Sequence, residues 1–176
     1  MENLFLGVDP GWTNLGWALS NEKGELLMSG TLCPKELGHG NTAIHLLKFI
    51  ESEGYPIAAV KGLGMERFVY YKGVHNPDSE NILMVTGEFT SQSSLHAIRV
   101  NLFRAIDWKK ALAKHLWLSC AFRNPSESFD KKFSFAAALC IYKVTFKVDH
   151  EADAGCLSYL AREAWERSCR SPNTKV

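Results

Sequence analysis

The sequence predicts an α/β fold in which a mixed five-stranded sheet is flanked by helices. Three apolar, strand-like segments open the chain, and helical and strand-like segments then alternate, which is the order that builds layered α/β domains. The 176 residues, 46% of them hydrophobic, are sufficient for one buried core. We therefore assign residues 1 to 167 to a single domain and predict a disordered tail at residues 168 to 176.

The individual elements follow from apolar periodicity and from the turn residues between segments. The first three strands form an antiparallel meander. Gly62 and Gly64 weaken the fourth strand, and Gly87 indicates a close-packing or kink point in the second helix. The predicted strands occupy residues 4 to 9, 12 to 19, 25 to 32, 57 to 69 and 97 to 102. The predicted helices occupy residues 42 to 53, 79 to 94, 107 to 118, 130 to 142 and 149 to 167.

Charge is distributed unevenly along the chain, although the net charge is only +1. Residues 1 to 95 contain 6 Lys and Arg against 11 Asp and Glu, whereas residues 96 to 176 contain 14 against 8. This asymmetry is typical of a metal site beside a polyanion-binding face, and also of an ordinary mixed-charge surface.

Two classes of protein are disfavoured by composition. No apolar run reaches membrane-spanning length and the N-terminus lacks a signal-peptide pattern, so we expect a cytoplasmic protein without membrane contact, at the nucleoid or in a phage-infected host. The five cysteines are widely spaced and include no Cys-x-x-Cys pair, which indicates reduced thiols and argues against a zinc ribbon.

Asp9 ends the first apolar strand, directly before Pro10 and Gly11. A carboxylate at the end of a buried strand is destabilising unless a cation or hydrogen-bond donors compensate its lost hydration. Asp9 is therefore either the cap of its own turn or a metal ligand.

Further acidic residues fall at comparable places. Glu66 lies near the end of the fourth strand, and Asp149, His150 and Asp153 open the last helix. Strands one and four can be neighbours in a mixed sheet, which would bring Asp9 and Glu66 together. Helical spacing allows either His150 or Asp149 to act together with Asp153. An oxygen-rich set with at most one imidazole suits Mg²⁺ or Mn²⁺, whereas helix capping is the alternative role for the last cluster.

Four motifs occur in order along residues 4 to 165: Gly7-Val8-Asp9-Pro10-Gly11 with Gly16, Glu66 after a strand, Asp107-Trp108-Lys109-Lys110, and His150-Glu151-Ala152-Asp153-Ala154. Their order and spacing resemble the RuvC-type Holliday-junction resolvases. The resemblance implies a ribonuclease H-like fold, a homodimer, and divalent-metal-dependent cleavage of branched DNA, the four-way junction, by paired symmetric nicks.

The resemblance also implies the catalytic residues, which are Asp9, Glu66, His150 and Asp153. The same four side chains are the expected ligands of two Mg²⁺ or Mn²⁺ ions per site, with Asp9 as the bridging ligand. Asp149 is an additional carboxylate that could replace His150 as a ligand. His150 is either a metal ligand or the group that takes a proton from water.

Expected DNA contacts fall into two groups. Lys109 and Lys110 on the basic helix, with Lys131 and Lys132 on the next helix, would neutralise backbone phosphates. Phe68 and Tyr70 follow Glu66 and would either be buried by strand alternation or stack on an unpaired base. We assign the five tryptophans, at positions 12, 17, 108, 117 and 165, mainly to the core or a dimer interface.

Other functions remain open on the sequence alone. A ribonuclease H-like nuclease of broader specificity, acting on forks or other branched DNA, would carry the same motifs. A catalytically silent junction-binding module is disfavoured because four acidic positions would weaken a phosphate-binding face. An actin-like ATPase is disfavoured because the chain is too short for two lobes and lacks a second phosphate motif.

Overall fold

A mixed five-stranded sheet forms the centre of the protein in the computed structural model. The structure describes residues 2–69, 77–116 and 127–170, with side chains from residue 132 onward in the last range. The side chains of Tyr70 and Lys131 lie outside the described residues. The strands are β1 (Leu4–Asp9), β2 (Leu15–Asn21), β3 (Leu26–Leu32), β4 (Val60–Glu66) and β5 (Arg99–Phe103).

The strand order is β3-β2-β1-β4-β5. The first three strands pair antiparallel, which confirms the predicted meander, and β1 pairs parallel with β4. Since Val8 lies opposite Met65, the next residues along each strand, Asp9 and Glu66, lie at the same edge of the sheet. The predicted neighbourhood of strands one and four is therefore confirmed.

The helices differ from the sequence-based prediction mainly at their ends. The short α1 begins at Pro34, in a segment predicted only to end the third strand. Helix α6 continues beyond residue 167, where a disordered tail was predicted, because Glu166 pairs one turn apart with Arg162 and Arg170. No helix in the described ranges is both long and apolar enough to cross a membrane. The helices are α1 (Pro34–Leu37), α2 (Thr42–Ser52), α3 (Ser79–Leu95), α4 (Ala105–His115), α5 (Glu127–Tyr142) and α6 (Asp149–Arg170).

The fourth strand is shorter than predicted at both ends. Ile57–Ala59 forms a 3₁₀ turn, and β4 ends at Glu66 instead of residue 69. Its neighbours end at the same level, because β1 ends at Asp9 and β5 at Phe103. The prediction that strand alternation decides the burial of Phe68 was therefore wrong, since Phe68 follows the strand.

The sheet is covered on both faces, and alternation along each strand assigns side chains to one face or the other. Leu6 and Val8 of β1 belong to the hydrophobic cluster that α2 and α3 complete. Phe5 and Gly7 lie on the opposite face against α6, where Ser158 Oγ donates to the Phe5 carbonyl oxygen at 2.9 Å. Helices α4 and α5 pack with α6 in a second cluster.

Helix α6 lies unusually close to the sheet because glycines face it. A β-carbon on Gly7 would lie 1.9 Å from the Ala154 carbonyl oxygen, and one on Gly64 would lie 2.1 Å from that of Leu157. Both obstacles are backbone atoms, which cannot rotate away. The glycines that weaken β4 as a sequence pattern therefore serve close packing. Gly87 of α3 is not a close-packing site, because a β-carbon added there would have nothing within 4 Å.

Candidate active site

Asp9 and Glu66 are directed to the α6 face by strand alternation. Asp9 is two residues after Gly7, and Glu66 is two residues after Gly64, so each carboxylate lies on the same face as a glycine that contacts α6. The Asp9 side chain is 14% exposed. The two strand ends thus bring two carboxylates to one edge of the sheet, beneath the start of α6.

The first turn of α6 brings His150 to Asp9. A β-carbon on Gly16 of β2 would lie 2.0 Å from the His150 carbonyl oxygen, so only glycine permits this approach. His150 Nδ1 and Asp9 Oδ2 are 2.6 Å apart, and the imidazole donates because an ionised carboxylate only accepts. This hydrogen bond raises the pKa of His150, partly opposed by desolvation, and the charge of Asp149 acts in the same direction as the bond.

Asp153 lies one turn further along α6 and is largely buried. Burial is the main cause that raises its pKa to about 7, and the negative charge of Asp9 is the second. Lys109 lowers the pKa, as does a hydrogen bond that Ser134 Oγ of α5 donates to Asp153 Oδ1, and Glu66 raises it further. Asp9 and Glu66 are therefore close enough to Asp153 to disfavour its ionised form.

Glu66 accepts a hydrogen bond from α4. Trp108 Nε1 donates to Glu66 Oε2 at 3.0 Å, and the Trp108 side chain is 1% exposed. Lys109 Nζ lies over the same ring, 5.1 Å from its centroid. The assignment of Trp108 to the core is borne out by its burial, but the indole also contacts a candidate catalytic carboxylate.

The other predicted DNA contacts are more dispersed. Lys109 is half-buried beside the carboxylates, whereas Lys110 on α4 and Lys132 on α5 are exposed. Phe68 is half-buried and follows the end of β4. Lys109 is thus the lysine whose charge acts on the site itself, through Asp153.

The chemistry of the donor set fits Mg²⁺ or Mn²⁺, because three carboxylates and one imidazole meet at one edge of the sheet. A divalent cation there would also offset the repulsion that raises the pKa of Asp153. Within the described residues, however, no group of three or more His, Cys, Asp or Glu side chains is arranged so that it could hold a metal ion. Protein groups hold these carboxylates instead: His150 binds Asp9, Trp108 binds Glu66 and Ser134 binds Asp153.

Two residues of the site, Trp108 and Ser134, were not predicted. Ser134 is fully buried on α5, and its position in the sequence carries no motif. Trp108 precedes the predicted lysine pair, so its neighbourhood was identified but its role was not. A tryptophan inside a motif of charged residues is the signal that could have indicated a buried donor.

The strand order and the helix across the sheet give a fold similar to that of solved RuvC structures. The structure of Thermus thermophilus RuvC superposes with a TM-score of 0.62 over 96% of each chain, at 14% sequence identity. T. thermophilus RuvC in complex with Holliday junction substrate gives 0.61 over 96% of this chain and 95% of that chain, also at 14% identity. No family model and no curated protein matches the sequence. The predicted fold class is thereby confirmed.

Proposed function

We propose that this protein is a divalent-metal-dependent endodeoxyribonuclease that resolves four-way DNA junctions by paired symmetric nicks. The observation that carries the proposal is the meeting of Asp9, Glu66 and Asp153 at one edge of a RuvC-type sheet, with His150 on Asp9. The similar T. thermophilus protein is described in complex with Holliday junction substrate, which supports a four-way junction as the substrate here.

In this proposal Asp9, Glu66 and Asp153 would hold the divalent ions, with Asp9 as the central ligand. His150 is the fourth ligand or the proton acceptor, and its contact with Asp9 favours it over Asp149 for that role. The chemistry that two Mg²⁺ or Mn²⁺ ions would supply is activation of a water and stabilisation of the leaving 3′ oxygen of a phosphodiester. The chain's own contribution is to hold the carboxylates in place and, through Lys109 and Ser134, to oppose part of the rise in the pKa of Asp153.

The DNA backbone would lie along the lysines of α4 and α5. Lys109 is close enough to the carboxylates to act on Asp153, and Lys110 follows it on the exposed side of α4. Lysines beside the candidate active site would neutralise the phosphates on either side of the scissile bond. Lys131 and Lys132 of α5 extend the proposed contact, and Phe68 and Tyr70 are the proposed stacking residues beyond β4.

Paired symmetric cleavage requires two sites, so the proposal includes a homodimer. A sedimentation-velocity measurement at micromolar concentration is expected to give twice the 19.7 kDa chain mass. A protein that remains monomeric both alone and on junction DNA would contradict the paired mechanism while leaving the single site intact.

The experiment that tests the function is a nicking assay of the wild-type protein on a synthetic four-way junction, a Y-fork and linear duplex. Each substrate is incubated with Mg²⁺, with Mn²⁺ or with EDTA. We expect symmetric nicks on the junction, dependent on the divalent ion. Equal cutting of forks would indicate a nuclease of broader specificity, and tight junction binding without cutting in either metal would indicate a silent binding module.

A further inference from the structure

Trp108 has a polar contact that its burial alone does not require. Its side chain is 1% exposed, and its single polar atom, Nε1, lies 3.0 Å from Oε2 of Glu66. An indole N–H is only a donor and needs an acceptor when buried, but any backbone carbonyl would serve. Here the acceptor is a carboxylate of the candidate active site. Hydrogen bonds to an ionised acceptor are shorter and about twice as strong as neutral ones.

The position of the indole is fixed by helices and not by the strand that carries Glu66. Trp108 packs against Phe133 of α5, with ring centroids 6.3 Å apart, and belongs to the same buried cluster as Leu112. Glu66 is the last residue of β4, so its backbone is held on the sheet while its side chain extends beyond the strand. The α4 helix therefore provides a rigid donor to a carboxylate that extends beyond the end of its strand.

The same ring contacts a lysine that acts on the site. Lys109 Nζ lies 5.1 Å from the centroid of the Trp108 ring, and the charge of Lys109 acts on Asp153. One buried side chain thus adjoins both the carboxylate at the end of β4 and the lysine whose charge acts on Asp153. An outer group of this kind commonly fixes the orientation of a metal ligand.

We propose that Trp108 is the positioning residue of Glu66: its indole N–H holds the carboxylate in the orientation that binds the divalent cation. This inference rests on the proposed function insofar as Glu66 is taken to be a metal ligand. Trp108 does not contact the reacting groups itself, and its effect passes through Glu66.

The test compares Trp108→Phe with the wild type by titrating the metal-free protein with Mn²⁺ alone and measuring affinity by calorimetry. Phenylalanine keeps an aromatic ring in the core but removes the N–H. Trp17→Phe is the matched control, because Trp17 is also buried, at 4% exposure, on the opposite face of the sheet. We expect Trp108→Phe to weaken Mn²⁺ binding about 10-fold, within the range for outer groups, and Trp17→Phe to leave it unchanged.

A double-mutant cycle separates positioning from general damage. If Trp108 acts through Glu66, Trp108→Phe should have no further effect on Mn²⁺ affinity once Glu66 is replaced by Gln. An equal loss of affinity in both backgrounds would overturn the inference. So would wild-type Mn²⁺ affinity in a folded Trp108→Phe protein.

A measurement that leaves the core intact covers the case in which Trp108→Phe fails to fold. In spectra of protein labelled with ¹⁵N at tryptophan, Glu66→Gln should shift one indole N–H resonance upfield, because a charged acceptor is replaced by a neutral amide. Unchanged indole resonances would overturn the inference. Nicking of junctions by the wild type is scored separately: its absence would remove the proposed function, whereas an altered Mn²⁺ affinity would still support the role of Trp108.

Discussion

Asp153 lies in an environment that disfavours its ionised form in the metal-free protein. Burial and the neighbouring carboxylates raise its pKa to about 7 from the ordinary value of 3.8. The folded protein therefore retains a proton that the unfolded chain releases near pH 4. The stability that the neutral acid provides is complete below that pH and is lost as the pH rises through about 7. The raised pKa of His150 likewise makes the folded protein less stable as the pH rises.

We predict that Asp153→Asn stabilises the metal-free protein increasingly as the pH rises from 5 to 8. The amide keeps the size of the carboxyl group but cannot ionise. The gap between the variant and the wild type should widen by at least about 1 kcal/mol, or about 2–4 °C in unfolding midpoint, measured by thermal unfolding in EDTA. Asp107→Asn is the control, because Arg104 lowers the pKa of that exposed carboxyl, so this variant should not be stabilised. A gap that stays constant between the two pH values would contradict the assignment of a neutral, buried Asp153.

At the same scale, sequence reasoning places a residue where its location follows from its position along a strand. The common location of Asp9 and Glu66 at one edge of the sheet could be predicted because each lies at or near the end of an apolar run. The roles of Trp108 and Ser134 could not be predicted in this way. Each depends on one hydrogen bond between distant segments, 42 residues apart for Trp108 and Glu66 and 19 apart for Ser134 and Asp153. Neither contact leaves a periodic pattern in the sequence.

Among the elements, α6 links the fold to the site. It presents His150 and Asp153 to the strand ends and rests its backbone on β1, β2 and β4. A buried hydrogen bond also holds α6 on the sheet, because the hydroxyl oxygens of Ser158 on α6 and Ser20 on β2 are 2.6 Å apart. Any displacement of α6 from the sheet would therefore also separate the acidic residues.

We predict that Gly7→Ala destabilises the protein severely. The new β-carbon would meet the Ala154 carbonyl oxygen at 1.9 Å and the Ser158 nitrogen at 2.5 Å, and only movement of α6 relieves that overlap. The expected loss exceeds about 3 kcal/mol in urea unfolding, above the usual range for overpacking. Gly87→Ala is the control: nothing lies within 4 Å of the added carbon, and alanine favours a helix interior by about 0.5–1 kcal/mol. Similar stabilities for the two variants would contradict the close contact of α6.

The glycines also explain where the prediction of elements fell short. Gly62 and Gly64 weaken a strand when β4 is judged alone, because glycine has low strand propensity. The packed fold compensates for this, since a helix that approaches so closely excludes any larger side chain at Gly64. Strand propensity depends on the residue itself, whereas the close packing of a helix on that strand depends on the folded structure and cannot be seen in the sequence.

We predict that Lys109 of α4 contributes directly to DNA affinity. Lys109→Ala should weaken junction binding and reduce the slope of log affinity against log salt by about 1, the value for one phosphate contact. Binding is measured by fluorescence anisotropy in EDTA at several salt concentrations. Lys23→Ala is the control, because Lys23 lies in the turn after β2, at the sheet edge opposite to Asp9. An unchanged slope for Lys109→Ala would remove this lysine from the proposed DNA face.

At the scale of the whole molecule, residues from the acidic and the basic halves of the sequence come together at the candidate active site. Asp9 and Glu66 come from the acidic half, while Lys109 and the helices that cover the site come from the basic half. The parallel pairing of β1 with β4 and the crossing of α6 over both strands bring the halves together. This arrangement is what the proposed cleavage requires, because a metal-binding cluster of carboxylates must lie beside cations that bind the phosphate backbone.

The most direct measurement compares wild type and Asp9→Asn on a synthetic four-way junction, with cleavage and binding followed in parallel. The amide keeps a hydrogen-bonding side chain at the end of β1 but removes the charge that His150 and a divalent cation would share. We predict symmetric nicks with Mg²⁺ for the wild type, a loss of cleavage of at least about 100-fold for Asp9→Asn, and junction affinity within about 3-fold of the wild type. Cleavage by Asp9→Asn at the wild-type rate would contradict a carboxylate site at this edge of the sheet.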